Sequence, residues 1–145
     1  MGRQQWRPEW PPLPLMRDEG VIEEQPDQVT VTERYVEDAL SFIRANRDQR
    51  FFLYFAHMYV HLPIYVQERF LRESRNGAYG GAVAAIDWAT GVILAELRRL
   101  GIDEETMVIF TSDNGSRGDF GPSNGHLRGH KGTTWEGGQR VPLIV

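Results

Sequence analysis

The sequence predicts an α/β fold, and three stretches of the chain carry that prediction. Residues 51–56, Phe-Phe-Leu-Tyr-Phe-Ala, form an almost unbroken apolar run, which is typical of a strand covered on both faces. Between residues 83 and 100 the apolar side chains recur in steps of three and four, as on one face of a long helix. Residues 107–110, Met-Val-Ile-Phe, are a second strand-like run. Two strands joined by a helical crossover of this length favour a parallel pair with a right-handed connection.

The first 29 residues show neither helical nor strand periodicity. They hold five of the eight prolines, together with Trp6 and Trp10. Because proline fixes φ and has no N–H to donate to a ladder, we expect an irregular segment here, with the tryptophans as packing anchors.

Two helices are predicted between this segment and the second apolar run. Thr30 and Glu33 have the spacing of a capping box and precede an apolar stripe at one helical face, which predicts a helix over residues 32–46. The later helix carries its apolar positions at Val83, Ile86, Thr90, Ile93, Leu97 and Leu100. Gly101 follows at the position that ends many helices.

Composition excludes some classes of partner. The net charge is −4, from 16 basic and 20 acidic residues, so binding to nucleic acid through the phosphate backbone is not expected. No run approaches the roughly 18 consecutive apolar residues of a membrane span, and we expect none. The chain has no cysteine, which excludes disulfides within it and leaves the cellular compartment open.

The second apolar run ends in an adjacent carboxylate and carboxamide, Asp113 and Asn114, followed by Gly115. Oxygen ligands at the carboxyl end of a buried strand suit a hard divalent cation, and open α/β sheets place their ligand sites at that edge. The plain alternative is a turn, because these residue types dominate turns.

A lysine lies among glycines further on, in residues 131–138, Lys-Gly-Thr-Thr-Trp-Glu-Gly-Gly. The Lys131 ammonium is a compact charge that could neutralise an anionic substrate and stabilise charge in a transition state. An exposed loop charge is the alternative. We expect Glu136 and Arg140 to form an ion pair or to anchor the loop.

Two histidines follow the first apolar run. His61 precedes Leu62-Pro63 and has the chemistry of a hydrogen-bond donor or a proton source, whereas His57 could share the site or pack against the strand end. A zinc pair of the two would need a helix, which Pro63 disfavours. His126, Arg128 and His130 lie in or next to the glycine-rich loop 115–129, which we expect to form part of a pocket rim.

Along the chain the three motifs follow in the order His61, Asp113–Asn114, Lys131, and in that order they resemble the sulfatase family of the arylsulfatase type; the resemblance runs from about Pro11 to Val145. It implies an alkaline-phosphatase-like sandwich with a mostly parallel central sheet flanked by helices, and hydrolysis of sulfate esters in small molecules or glycans. It further implies calcium ligands at Asp113 and Asn114, and catalytic sulfate contacts from His61 and Lys131. His130 stands where the family commonly has glycine.

Two family features are missing from the chain. The Cys-x-Pro-x-Arg motif, whose cysteine becomes formylglycine, is absent, and so is the Asp-Asp pair that supplies further metal ligands. We therefore expect residues 1–145 to be the central part of one catalytic domain, with 1–29 irregular and 30–145 an α/β core segment. On this interpretation the chain is inactive alone, and the formylglycine lies in a missing segment. A phosphodiesterase or phosphonate hydrolase, or a non-catalytic homologue that binds a sulfated glycan or a metal, remains an alternative. The family suggests export, to a periplasmic, extracellular or lysosomal location.

Overall fold

The computed structural model describes residues 9–118 and 124–145, and the chain divides into two compact units, residues 1–102 and 103–145. The elements of the first unit are β1 (Pro14–Arg17), β2 (Gly20–Glu24), α1 (Val31–Asn46), α2 (Glu68–Glu73) and α3 (Gly77–Leu100). Those of the second are β3 (Phe110–Thr111), α4 (Glu136–Gln139) and β4 (Leu143–Ile144). The mixture of helices and strands confirms the coarse α/β prediction, and both described sheets are antiparallel pairs.

A hairpin occupies part of the segment that was expected to be irregular. Strands β1 and β2 pair antiparallel, and Arg17 pairs with Gly20 across a two-residue loop in which Asp18 has φ 52°. The prediction failed because Asp18 and Gly20 permit a tight turn, while Pro14 occupies only the first position of its strand. Trp6 lies outside the described residues, and Trp10 is exposed.

Helix α1 confirms the predicted helix to within one residue, but the capping box does not form. Thr30 occupies the N-cap position without a side-chain cap, because its hydroxyl donates backwards to the carbonyl oxygen of Asp27 at 2.9 Å. The Asp27 carboxylate in turn accepts from the N–H of Val29 at 3.1 Å. The hydroxyl and the N–H of Thr30 both donate to the carbonyl of Asp27 in the turn before the helix, in place of the hydrogen bonds of a capping box.

Helix α3 ends as predicted and buries Leu97 of the predicted stripe, but most of its buried residues lie beside that stripe. The N–H of Gly101 donates to the carbonyl of Arg98, and that of Ile102 donates to the carbonyl of Leu97, which is the Schellman arrangement. The face that is buried carries mostly small residues, including Ala82, Ala85 and Ala89. Val83, a predicted stripe position, is 45% exposed. Small side chains allow α3 to pack closely against α1 and α2, and this contact outweighs the larger apolar positions beside it.

By length and composition alone, α3 could also cross a membrane. The expectation of no membrane-spanning segment is therefore not confirmed. Within its unit, the helix packs against α1 and α2.

A buried carboxylate joins the two long helices. Glu96 of α3 is 7% exposed and accepts hydrogen bonds from Arg99 at 2.6 and 2.8 Å and from Arg44 of α1 at 2.6 Å. The hydrogen bonds from Arg99 and then Arg44 lower the pKa of Glu96 to about 2. The same pairing raises the pKa of Arg99. The contact fixes the end of α3 against α1.

Residues 51–56 are not the doubly covered strand that the apolar run predicts. They belong to neither sheet among the described residues, and alternate side chains are exposed, with Phe52 at 86% and Tyr54 at 78%. Phe51 lies on the other side and meets Phe42 of α1 edge to face, with ring centroids 5.8 Å apart. The prediction was wrong because an apolar run becomes part of a sheet only when a neighbouring strand forms hydrogen bonds with it.

Candidate active site

The Asp113–Asn114 pair lies directly after a strand, as predicted. Strand β3 pairs with β4, with Phe110 opposite Ile144 and Thr111 opposite Leu143. The Thr111 hydroxyl also donates to the carbonyl of Pro142 at 3.0 Å. These contacts fix the end of β3, from which the chain reaches Asp113 after one further residue.

The two side chains form a compact set of oxygen atoms. The amide nitrogen of Asn114 donates to Oδ1 of Asp113 at 3.0 Å, and Asp113 is exposed. In the described part of the chain, no hydrogen bond engages the second carboxylate oxygen of Asp113 or the amide oxygen of Asn114. A carboxylate and an amide oxygen fit a hard cation such as calcium, which takes six to eight oxygen ligands. Residues 9–118 and 124–145 contain no cluster of three His, Asp or Glu side chains arranged for a metal, so these two would be part of a larger shell.

The structure brings the lysine motif against the Asp113–Asn114 segment. The N–H of Lys131 donates to the carbonyl of Ser116 at 2.9 Å, and the N–H of Gly115 donates to the carbonyl of Gly138 at 3.0 Å. Two motifs that are separated by more than a dozen residues are therefore joined by backbone hydrogen bonds. Lys131 is half-buried, and no carboxylate of the described residues pairs with its ammonium group.

Glycine is required where these segments touch. A Cβ atom on Gly115 would lie 1.8 Å from the carbonyl oxygen of Gly137, and one on Gly137 would lie 2.3 Å from the carbonyl oxygen of Gly129. Real Cβ atoms essentially never approach within 3.0 Å. The glycines of the two motifs therefore permit the close backbone contact itself.

Position 130 does not need the glycine that is common in the family. Gly129 and Gly132 have φ of 86° and 87°, whereas His130 is not among the residues with positive φ. Histidine is tolerated there, and its Nδ1 lies 2.8 Å from the carbonyl of Lys131. Since a carbonyl oxygen only accepts, Nδ1 of His130 carries a proton.

The structure describes part of the loop 115–129 that was predicted to form a pocket rim. The Arg128 guanidinium lies 3.6 Å from the ring centre of Trp135, which is 48% exposed. His126 is exposed. Residues 119–123 of the predicted rim loop lie outside the described residues.

A side-chain brace that the sequence analysis missed joins the same segments. Oδ1 of Asn124 accepts from the N–H of Ser116 at 3.1 Å and from its hydroxyl at 2.9 Å. Nδ2 of Asn124 donates to the carbonyl of Gly129 at 3.0 Å. The only sequence signal was an Asn-Gly pair, which is common in loops.

His61 lies in the other compact unit, in an irregular loop. Its ring is exposed, and its Nδ1 lies 2.7 Å from the carbonyl of Leu62. Nδ1 therefore carries a proton, and Nε2 is the nitrogen left to meet a ligand or to exchange a proton. The segment around His57 and His61 is not helical, as the argument against a zinc pair required.

His57 has the surroundings of a packing residue. Its ring lies 5.6 Å from Phe55 and 5.2 Å from Tyr59, and its Nδ1 accepts from the N–H of Tyr59 at 3.1 Å. Burial lowers the pKa of His57, and its Nε2 is buried without a partner among the described residues. The geometry favours a neutral, structural imidazole over one that acts on a ligand.

Glu136 and Arg140 form the expected ion pair, at 3.8 Å and with both side chains exposed. Exposed pairs of this kind contribute little stability. Glu136 is therefore a suitable control position for substitutions in the same loop.

The described residues therefore form an α/β chain in which a carboxylate and a carboxamide follow a strand, and the segment that carries them is hydrogen-bonded to a glycine-rich loop with a lysine. The family model for sulfatases matches residues 8–145. The chain belongs to the sulfatase family.

Curated relatives and solved structures agree with this membership. The chain is 41% identical to steryl-sulfatase of Rattus norvegicus over 139 residues, covering 90% of this chain and 24% of the relative. It is 41% identical to N-acetylgalactosamine-6-sulfatase of the same species over 150 residues, covering 93% and 29%. Arylsulfatase H of Homo sapiens is 36% identical over 138 residues, covering 90% and 25%. The chain thus spans about a quarter of the length of these relatives.

Two solved structures share the fold. The crystal structure of Ps i-CgsB in complex with k-i-k-neocarrahexaose superposes with a TM-score of 0.80 at 28% identity, over 90% of this chain and 30% of that one. A structure concerned with metabolism of multiple glycosaminoglycans by Bacteroides thetaiotaomicron gives a TM-score of 0.76 at 32% identity, over 83% and 28%.

Proposed function

We propose that the protein carrying this chain is a sulfuric ester hydrolase that cleaves sulfate esters at a calcium-dependent site. The observation that carries the proposal is the backbone contact between the Asp113–Asn114 segment and the Lys131 loop. The two segments are hydrogen-bonded to each other through their backbones, and within residues 9–118 and 124–145 no carboxylate pairs with the Lys131 ammonium. The names of the sulfatase relatives support the same reaction.

Each residue has a separate role in the proposed reaction. Asp113 and Asn114 would hold part of the calcium shell, and the ion when bound supplies positive charge to the sulfate oxygens. Lys131 would bind a sulfate oxygen and stabilise the charge that develops there. In its doubly protonated form, His61 would donate the Nε2 proton to the departing alcohol oxygen and become the neutral imidazole whose Nδ1–H stays on the Leu62 carbonyl.

On this proposal the nucleophile is a formylglycine that these 145 residues do not supply, because they contain no cysteine. We include formylglycine in the proposal on the strength of the family. The finer fold prediction, an alkaline-phosphatase-like sandwich with a mostly parallel central sheet, is part of the same proposal. The agreement with solved structures of which the chain covers about 30% supports it.

The substrate would be a small sulfate ester or a sulfated glycan. One solved neighbour is in complex with k-i-k-neocarrahexaose, and one curated relative is a N-acetylgalactosamine-6-sulfatase. These names favour a sulfated glycan as the substrate class.

The test is the turnover of a chromogenic aryl sulfate by the protein that carries this chain, across a calcium titration. Asp113→Ala and Lys131→Ala should each lower the rate on the order of a hundredfold, since a charge contact in the transition state is worth about 3 kcal/mol. Raising calcium should partly restore Asp113→Ala, because that variant loses metal affinity, but not Lys131→Ala. Glu136→Ala, the loop control, should stay near the unchanged rate.

Near-normal turnover by Asp113→Ala would remove the metal assignment. Faster cleavage of a phosphate diester or a phosphonate than of the sulfate ester would favour the related hydrolase instead. Binding of a sulfated glycan with no turnover of any ester would favour the non-catalytic homologue.

A further inference from the structure

We propose that Asn124 is a positioning residue that holds the lysine loop against the Asp113–Asn114 segment; the inference rests on the proposed function of those residues. Asn124 touches neither of the proposed ligand groups. It would act by fixing the distance between the segments that carry them.

The hydrogen bonds of Asn124 connect both sides of the contact. Its Oδ1 accepts two hydrogen bonds from Ser116, the residue whose carbonyl oxygen receives the N–H of Lys131. Its Nδ2 donates to the carbonyl of Gly129, two residues before Lys131. One side chain thereby ties the start of the lysine loop to the chain just after Asn114.

The chemistry of the amide explains why asparagine is needed at this position. The side chain must accept on one atom and donate on the other, at the length of a single methylene. Aspartate would keep the acceptor for Ser116 and lose the donor to Gly129. Alanine would lose both, and its effect should exceed that of Ser116→Ala, which removes only the hydroxyl contact.

The consequence for catalysis follows from positioning. A displacement of a catalytic group by about 1 Å can cost on the order of a hundredfold in rate. Loss of the brace should therefore lower kcat by at least tenfold with a KM change of less than threefold. Asn124→Asp should fall between Asn124→Ala and the unchanged protein.

The experiment combines two measurements on the protein that carries this chain. Backbone hydrogen exchange, read by mass spectrometry in peptides spanning residues 127–139, should accelerate at least tenfold in Asn124→Ala. Steady-state turnover of an aryl sulfate gives kcat and KM separately. Gln139→Ala is the matched control, because Gln139 is an exposed amide in the same unit with a single 3.3 Å hydrogen bond to Thr134.

Exchange in Asn124→Ala no faster than in Gln139→Ala would overturn the inference. The inference would also be overturned if Asn124→Ala showed faster exchange with unchanged kcat while Lys131→Ala abolished turnover. If Lys131→Ala itself keeps full turnover, the proposed function fails, and the exchange measurement still decides whether Asn124 holds the loop.

Discussion

The closest backbone contact of the candidate site gives the sharpest prediction, the effect of Gly115→Ala. The new Cβ atom would lie 1.8 Å from the carbonyl oxygen of Gly137 and 2.8 Å from its carbonyl carbon. Since Cβ contacts below 3.0 Å essentially never occur, the oxygen must recede by the difference between 3.0 and 1.8 Å, about 1.2 Å. Both atoms in conflict are backbone or fixed to it, so no side-chain rotation relieves the overlap.

The movement has a cost that can be estimated. Gly138 follows Gly137 directly, and its carbonyl accepts the N–H of Gly115 at 3.0 Å. A displacement of about 1.2 Å takes that pair beyond hydrogen-bond distance, which costs about 1 kcal/mol. Overpacking adds about 1–3 kcal/mol. The local contact should therefore weaken by about 2–4 kcal/mol.

Hydrogen exchange measures this local change directly. In Gly115→Ala the peptides spanning residues 113–118 and 127–139 should exchange roughly 30-fold to several hundredfold faster, because about 1.4 kcal/mol corresponds to tenfold. Gly91→Ala is the matched control. Its Cβ would meet nothing within 4 Å, and it lies inside α3, so the substitution should stabilise that helix by about 0.5–1 kcal/mol.

Exchange in Gly115→Ala as slow as in the unchanged protein would refute the close contact. Acceleration spread equally over α3 and the site would refute the claim that the effect is local. If the proposed function holds, turnover should fall together with the loss of protection, because the metal-ligand segment and Lys131 would separate.

Two further substitutions in the first unit test a buried carboxylate and a partly buried imidazole. Glu96→Gln should lower the stability above about pH 4.5, because Arg99 and Arg44 hold the carboxylate ionised in the folded protein, and it should remove the loss of stability that the unchanged protein shows between about pH 4.5 and about pH 2. Urea titrations at several pH values measure this. Glu68→Gln, which removes an exposed ion pair, should change the stability little. Burial lowers the pKa of His57 in the folded protein, so acidification below pH 6.5, its ordinary pKa, favours the unfolded chain. His57→Phe should therefore flatten the pH dependence of stability just below pH 6.5. An unchanged pH profile in thermal unfolding would contradict the lowered pKa of His57.

The two long helices could be predicted because their signals are local. Both segments show a period of three and four, the first also has a polar start and the second a glycine end, and α1 and the end of α3 agree with these signals. Apart from Leu97, the buried residues of α3 could not be predicted in the same way. Packing against α1 and α2 selected the alanine side, which depends on what the neighbouring helices present.

The strands show the opposite behaviour, because a strand is completed by a partner elsewhere in the chain. The run 51–56 is more apolar than β3, yet β3 forms a ladder and 51–56 does not. Strand β3 found its partner more than thirty residues later, in β4. No local pattern records such a pairing.

For the candidate site, the sequence by itself determined which residues could do chemistry: a carboxylate and a carboxamide after β3, a lysine among glycines, and a histidine before Leu62-Pro63. Only the tertiary structure decided that Gly115 meets Gly137 and that Asn124 joins Ser116 to Gly129. The chemical type of each residue can be read directly from the sequence. Contact between two loops depends on which backbones can approach without overlap, and that is settled only when the chain folds.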